Sequence, residues 1–457
     1  MADRTAETVQ AVGSSADVSM RCIVRTWWPL AASWLLMGLE GPAISAVIAR
    51  LADPEINLAA YGGVVFPLAL FIEAPIIMLL AASTALSTDW KAYRKLRVYM
   101  HTLGAGLSLL HVVIAFTPLY DFIVGRVIGV PAEIIEPARL GLMITLPWTW
   151  AIAYRRLNQG VLIRFGYSLA VGVGTLIRLC ADGLVLVVGY LLGSVPGIVI
   201  AGVVIVAGVL SEALYVGLRV RPVLRDRLKP TASQGPSLSL RDFLHFYVPL
   251  SLTSLIFLTA RPIISASISR MPGALESLAA WPVVTGVTFL LRSFGISYNE
   301  VVVALLGRPH SSPNLRRFTV LLGGLTTGAL LIIAATPVAA FWFENVSGLA
   351  PNLVALARNS LWFALLLPAL SVLQSWYQGV ILHSRRTRSI TEAVVMYLVV
   401  ISVVLTAGIA WGTVAGIYVG LVAISAGEFL RNGWLAWRSQ PAQRALRDRD
   451  TFSPLKL

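Results

Sequence analysis

Two pairs of charged residues stand beside prolines or at matching places in otherwise apolar surroundings, and their types suit ion binding rather than covalent chemistry. Glu40 lies two residues before Pro42 in Gly38-Leu39-Glu40-Gly41-Pro42, and Arg261 directly precedes Pro262 in Thr259-Ala260-Arg261-Pro262. A guanidinium keeps its charge at any accessible pH and presents a planar fork of donors, so it can hold a carboxylate or a phosphate. A carboxyl can act as counter-charge or take up a coupling proton or sodium ion. Glu73, near Pro75, and Arg292, 219 residues further on, repeat the same opposition of sign. Arg261 and Arg292 are therefore the candidate anion-binding residues, and Glu40 and Glu73 the coupling or counter-charge residues. Pro42 and Pro262 are the expected helix breaks beside them. Glu40 and Arg261 fall at nearly equivalent places in the two halves and are expected to pair. The bland alternative for Arg292 is snorkelling toward the headgroups.

Arg178 and Asp182, four apart on one helix face, are expected to neutralise each other and form at most a secondary polar site with Glu300. Glu212, Glu300 and Glu428 fall toward the cytoplasmic ends of their helices, within reach of loop arginines. Nothing points to catalysis. His101, His111, His245, His310 and His383 are scattered, no HExxH or CxxC pattern occurs, and Cys22 and Cys180 imply no disulfide framework. No catalytic residue, metal or cofactor is expected, and a membrane-embedded transferase is the remote alternative.

The elements that carry these residues must be membrane helices. Of 457 residues 57% are hydrophobic and 13% charged, where soluble chains carry roughly 25% charged residues. Mean hydropathy is +0.78. Apolar runs near the ~20 residues that span a bilayer predict helices at 28–50, 58–83, 98–118, 137–155, 168–190 and 195–218, then 248–270, 278–303, 318–340, 356–382, 390–411 and 414–436. The alternating pattern of an outer-membrane barrel is absent. The net charge of +14 is topological and needs no nucleic acid. Basic residues such as Lys91, Arg94, Lys95, Arg97, Arg155, Arg156, Arg164, Arg316, Arg317, Arg385 and Arg386 fall on one side, whereas the other holds only Arg50, Arg126, Arg139, Arg270 and Arg358. The positive-inside rule then makes both termini cytoplasmic, with the chain in the inner membrane. The polar stretch Met1 to Ala16 lacks the features of a cleaved signal.

An offset of 220 residues aligns Pro29 with Pro249, Pro42 with Pro262, Ser45 with Ser265, Arg50 with Arg270, Leu58-Ala59-Ala60 with Leu278-Ala279-Ala280, and Tyr61 with Trp281. An offset of 219 aligns Gln159-Gly160-Val161 with Gln378-Gly379-Val380, and Gly193 with Gly412. The fold class is thus all-α, with twelve transmembrane helices in two parallel-repeat six-helix lobes related by an axis along the membrane normal. The expected divisions are an N-terminal lobe at 1–218, a cytoplasmic linker at 219–241, a C-terminal lobe at 242–437 and a cytoplasmic tail at 438–457. Matched, proline-marked helices at a lobe interface suit a transporter working by alternating access.

This organisation resembles the superfamily of multidrug and toxic compound extrusion (MATE) transporters and lipid-linked oligosaccharide flippases. Within it the chain is most similar to the progressive ankylosis (ANK) family. The residues that carry the resemblance are Pro249-Leu250, Arg261-Pro262-Ile263, Ser269-Arg270 and Tyr298-Asn299-Glu300, with Pro29-Leu30, Glu40, Ala60-Tyr61-Gly62 and Leu110-His111 in the first half. The resemblance implies export of an organic or phosphate-containing anion, with Arg261 placed like that family's midmembrane arginine. Val301 and Val302 depart from the basic residue the family carries just after its acidic one. The partners it implies are the lipid bilayer, a small anionic solute or anionic lipid-linked substrate, and a coupling proton or sodium ion. The alternatives are a lipid-linked oligosaccharide flippase and a drug antiporter.

Overall fold

The structure is a computed structural model that describes residues 18–231, 238–384 and 388–452. Met1 to Ala16, the central part of the linker (232–237), Arg385, Arg386 and residues 453–457 lie outside the described residues. Among the described residues run twelve long helices: α1 (Met20–Ile48), α2 (Pro54–Leu86), α3 (Trp90–Phe116), α4 (Ala132–Ile144, continued by Leu146–Arg164), α5 (Ser168–Leu192), α6 (Gly197–Leu228), α7 (Leu240–Ile268), α8 (Ala274–Leu305), α9 (Ser311–Ala335), α10 (Pro351–His383), α11 (Arg388–Trp411) and α12 (Gly416–Phe452). Ten are long and apolar enough to cross a membrane by composition; α4 and α12 carry more polar residues. The protein is an all-α, multi-pass membrane protein.

Several helices overrun their apolar cores, because hydropathy is blind to polar turns outside the hydrocarbon. Ser19 caps α1 by accepting from the Cys22 amide, eight residues before the expected start. At α7 the Ser239 hydroxyl accepts from the Asp242 amide while the Asp242 carboxylate accepts from Ser239, a reciprocal capping box. The tail does not leave the fold at 438, since α12 continues to Phe452. Asp450 there accepts from the amides of His310 and Ser312 at 3.1 Å each, capping α9.

The repeat is visible in detail. Thr117 and Thr336, 219 apart, end α3 and α9 with the same dihedrals, φ −113° and ψ 169°. Gly193 and Gly412 close α5 and α11 in the left-handed region at φ 64° and 65°, where a side chain is strained. Gly208 of α6 gives room to Arg178 and Asp182 of α5, and Gly427 of α12 gives room to Tyr397 and Ile401 of α11.

The halves meet through α1, α2, α7 and α8, with α1 against α8 and α2 against both α7 and α8. Close approach depends on Gly62, where α2 passes through a π-helical stretch, Ala60–Val65. A Cβ at Gly62 would come 2.5 Å from Pro282 Cγ. Gly62→Ala is therefore expected to cost ~1–3 kcal/mol through overpacking of the lobe interface. A thermal melt of the detergent-solubilised protein, referenced to wild type, measures it.

At one end of the molecule the halves are tied by repeat mates. Arg50, just beyond α1, donates to the carbonyls of Asn345 and Val346, the latter at 3.0 Å, in the connection between α9 and α10. Arg270, just beyond α7, donates to Ile128 at 2.7 Å and to Val127, in the connection between α3 and α4. Each half thus reaches into the equivalent loop of the other.

Candidate functional site

Between the halves lies a cavity of ≈ 340 Å³ lined from both sides. Helix α1 contributes Glu40, Pro42 and Ser45; α2 contributes Tyr61, Gly62 and Phe66; α5 contributes Arg178. From the second half come Phe257 and Arg261 of α7, Trp281, Phe289 and Arg292 of α8, Tyr397 of α11 and Glu428 of α12. The expected residues Glu40, Arg261 and Arg292 therefore share one chamber.

Their pairing differs from expectation. Glu40 is not bonded to Arg261; it accepts from Arg178 Nη2 at 2.6 Å. Arg178 also lies 3.8 Å from Asp182, so the i,i+4 pair exists as the weaker contact of a triad. Arg292 does not snorkel. Its Nε donates to Ser371 Oγ at 2.8 Å and its Nη2 to Glu428 Oε1 at 2.9 Å, while the other Glu428 oxygen forms an ion pair with Arg431 at 2.6 Å. Arg431 in turn lies over the Tyr397 ring at 5.0 Å and donates to Gln374.

Arg261 is different in kind. Its side chain is exposed, and that exposure opens into the cavity. Its guanidinium stands over Phe66 of the opposite half at 5.6 Å and, among the described residues, makes no ion pair or hydrogen bond. A cation held among apolar membrane helices without a counter-ion is costly.

A model of the progressive ankylosis protein (ANKH) family matches residues 11–295. The chain belongs to the ANKH family. As the fold suggests, it is also similar to solved MATE and MOP-superfamily structures. A multidrug resistance MATE family transporter in an inward-facing conformation superposes with a TM-score of 0.70 at 15% identity, covering 93% of this chain and 99% of that one. A MOP superfamily transporter from Pyrococcus furiosus, described as having a binding pocket of reverse polarity that suggests a different function, gives 0.58 at 17% identity over 94% and 97%. The lipid II flippase MurJ, in an inward closed conformation, gives 0.58 at 12% identity over 91% and 90%. Family and fold together make the chain a multi-pass membrane protein of the ANKH family with the helical fold of those structures.

The remaining expected residues fall elsewhere. Glu73 is fully buried and does not line the cavity; its oxygens meet no partner at full hydrogen-bond geometry, with the Thr149 hydroxyl beside them and Arg155 and Arg156 acting on it as cations. Those arginines are not in a loop. They belong to α4, where Arg155 donates to Glu212 of α6 in a fully buried pair that Gln159 joins at 2.8 Å. Glu212 and Glu428 are thus interior groups and not partners of loop arginines. Glu300 is exposed and does not line the cavity. Helices α1 and α7 run unbroken through Pro42 and Pro262, because losing one hydrogen bond does not stop a long helix supported by its neighbours. Pro42 lines the cavity against Gly286, whereas Pro262 does not line it.

Glu428, Tyr397, Arg431 and Phe66 were missed as site residues. The ANKH-family repeat carried the signal. Tyr397 stands 219 residues after Arg178, Arg431 after Glu212, Gln374 after Arg155, and Arg292 after Glu73. The polar groups of one half were pointers to the interior positions of the other.

Proposed function

We propose that this protein is a secondary transporter that exports an organic or phosphate-containing anion by alternating access of the interlobe cavity. The observation that carries the reading is the unpaired Arg261 guanidinium facing that cavity over Phe66. The lobes are residues 1–218 and 242–437, joined by a linker at 219–241 and followed by a cytoplasmic tail from 438. The membrane is the inner one and both termini face the cytoplasm, which the clustering of basic loop residues supports. Arg261 is the primary anion ligand. Arg292, whose charge is already met by Glu428, assists by position. Glu40 is the counter-charge of Arg178. Glu73, buried without a partner at full hydrogen-bond geometry, is the carboxyl available to a coupling proton or sodium ion. The cavity of ≈ 340 Å³ is at the small end of the ~300–1,000 Å³ typical of small-molecule sites, which favours a small solute over a lipid-linked oligosaccharide. A free arginine likewise disfavours a cationic drug. The Pyrococcus furiosus relative with a binding pocket described as of reverse polarity is a precedent within the fold.

The test is efflux of candidate anions from vesicles carrying wild type, Arg261→Gln, Arg261→Lys or Glu73→Gln at matched protein levels. Arg261→Gln is expected to abolish anion transport. Arg261→Lys should retain part of it, because the charge stays and the fork is lost. Anion transport undiminished in Arg261→Gln overturns the reading.

A further inference from the structure

The charges of the cavity can be balanced residue by residue. Three guanidiniums line it, Arg178, Arg261 and Arg292, against two carboxylates, Glu40 and Glu428. Behind Arg178 stands Asp182 at 3.8 Å, and behind Glu428 stands Arg431 at 2.6 Å, so the second layer adds one charge of each sign. One positive charge is left over, and it sits on Arg261. The rest of the wall mixes aliphatic, glycine, proline and hydroxyl side chains with six aromatic ones. Tyr61, Phe66, Phe257, Trp281, Phe289 and Tyr397 present rings from both halves. The buried Ser45 hydroxyl also lines the cavity and has no hydrogen-bond partner of its own. Between the rings lie prolines, glycines and aliphatic side chains, and the Thr285 and Thr288 hydroxyls that also line the cavity donate to carbonyls of their own helix, so beyond Ser45 and the tyrosine and tryptophan groups few donors are left to disperse a second or third negative charge.

From this juxtaposition we infer that the cargo is an amphipathic organic monoanion: one carboxylate or sulfonate carried on a flat, ring-containing body of one or two rings. This rests on the reading of Arg261 as the anion ligand and narrows it. In a low-dielectric chamber a monoanion brings the site to neutrality. A dianion leaves a net negative charge, and a neutral molecule leaves Arg261 uncompensated. The anionic group meets Arg261 beside Phe66, while the rings stack against Trp281 and Tyr61, repeat mates that line the cavity from α8 and α2. Ser45 supplies an O–H to the bound molecule. Compact polyanions such as pyrophosphate offer no surface to the aromatic wall and carry too much charge for it.

The test is calorimetric binding to the full-length protein in nanodiscs, using naphthalene-2-carboxylate, naphthalene-2,6-dicarboxylate, 2-naphthylmethanol and pyrophosphate as probes. The monocarboxylate is expected to bind at least about tenfold more tightly than each of the other three. Arg261→Gln should remove that advantage, bringing the monocarboxylate affinity down to that of naphthylmethanol or below. Trp281→Leu should weaken the monocarboxylate, and both variants must elute as folded, monodisperse protein. Should Arg261→Gln not remain folded, Arg261→Lys serves, with the monocarboxylate advantage reduced but not lost. If pyrophosphate or the dicarboxylate binds as tightly as the monocarboxylate, and that binding depends on Arg261, the monoanion class is wrong while the anion reading stands. If the neutral alcohol binds as tightly, or no ring-bearing monoanion binds folded wild type, the inference falls. If anions bind but none responds to either Arg261 substitution, both fall together.

Discussion

Glu212→Ala is expected to deplete the folded protein from the membrane fraction, by a larger margin than any substitution of a cavity residue. Arg155 and Glu212 are side-chain buried to 6% and 2% exposure, and their contact ties α4 to α6. Removing one partner strands the other charge in the interior. That costs about 3–5 kcal/mol, a large share of the stability of an ordinary domain. Gln159 also loses its acceptor, since its amide donates to Glu212. Replacing both charges by apolar residues, Arg155→Met with Glu212→Leu, removes the stranded charge along with the pair and should recover most of the yield. The check is fluorescence size-exclusion of the two single variants, the double variant and wild type, as a double-mutant cycle. A double variant as depleted as Glu212→Ala would mean that the cluster, including Glu73, is needed as charge and not as filling.

Removal of both interlobe arginines is expected to open the cavity at the end they tie. Arg50 and Arg270 each donate to backbone carbonyls of the opposite half. A hydrogen bond from a charged donor contributes roughly 1.5–3 kcal/mol, so the double variant Arg50→Ala, Arg270→Ala forfeits on the order of 3–6 kcal/mol of closure. That corresponds to about a 10²–10⁴-fold shift between closed and open states. Ser45 lines the cavity and gives a reporter position. With Cys22 and Cys180 replaced, Ser45→Cys should react slowly with a membrane-impermeant maleimide added on the side of that end in the parent. The reaction should be far faster in the double variant, with each single variant between. Equal labelling rates would show that helix packing alone seals that end. Because the two ties are repeat-equivalent, neither single substitution is expected to account for the whole effect.

The fold was legible because its determinants are coarse. Twelve apolar runs, the one-sided basic loops and the paired prolines and arginines at offsets of 219 and 220 all survive inspection of the chain alone. The helix ends were less so, since Ser19, the Ser239 and Asp242 box and the extension of α12 are polar and carry no hydropathy signal. At the site, Glu40, Arg261 and Arg292 stood out as charges at repeat-matched places in apolar helices, and all three line one cavity. Which charge meets which was not readable. The choice of Arg178 over Arg261 as the partner of Glu40 depends on how α5 lies against α1, a matter of helix rotation that spacing within one helix cannot supply. Glu428 was misplaced for a different reason. Its distance from the end of the apolar run suggested a surface group, yet α12 continues well beyond that run and keeps it interior.

The cap that Asp450 places on α9 also sets an order of events during synthesis. His310 and Asp450 are 140 residues apart. At ~5–20 residues per second a ribosome needs roughly 7–30 s to make that stretch. Throughout that interval α9 has been inserted with the amides of its first turn unsatisfied, and Arg449 has not yet reached the Leu306 carbonyl. The second half is therefore expected to pass through that period without the contacts that fasten the start of α9 to the end of α12. Shortening α12 would leave every membrane span in place and still prolong that period without limit. Its signature would be normal insertion followed by rapid turnover.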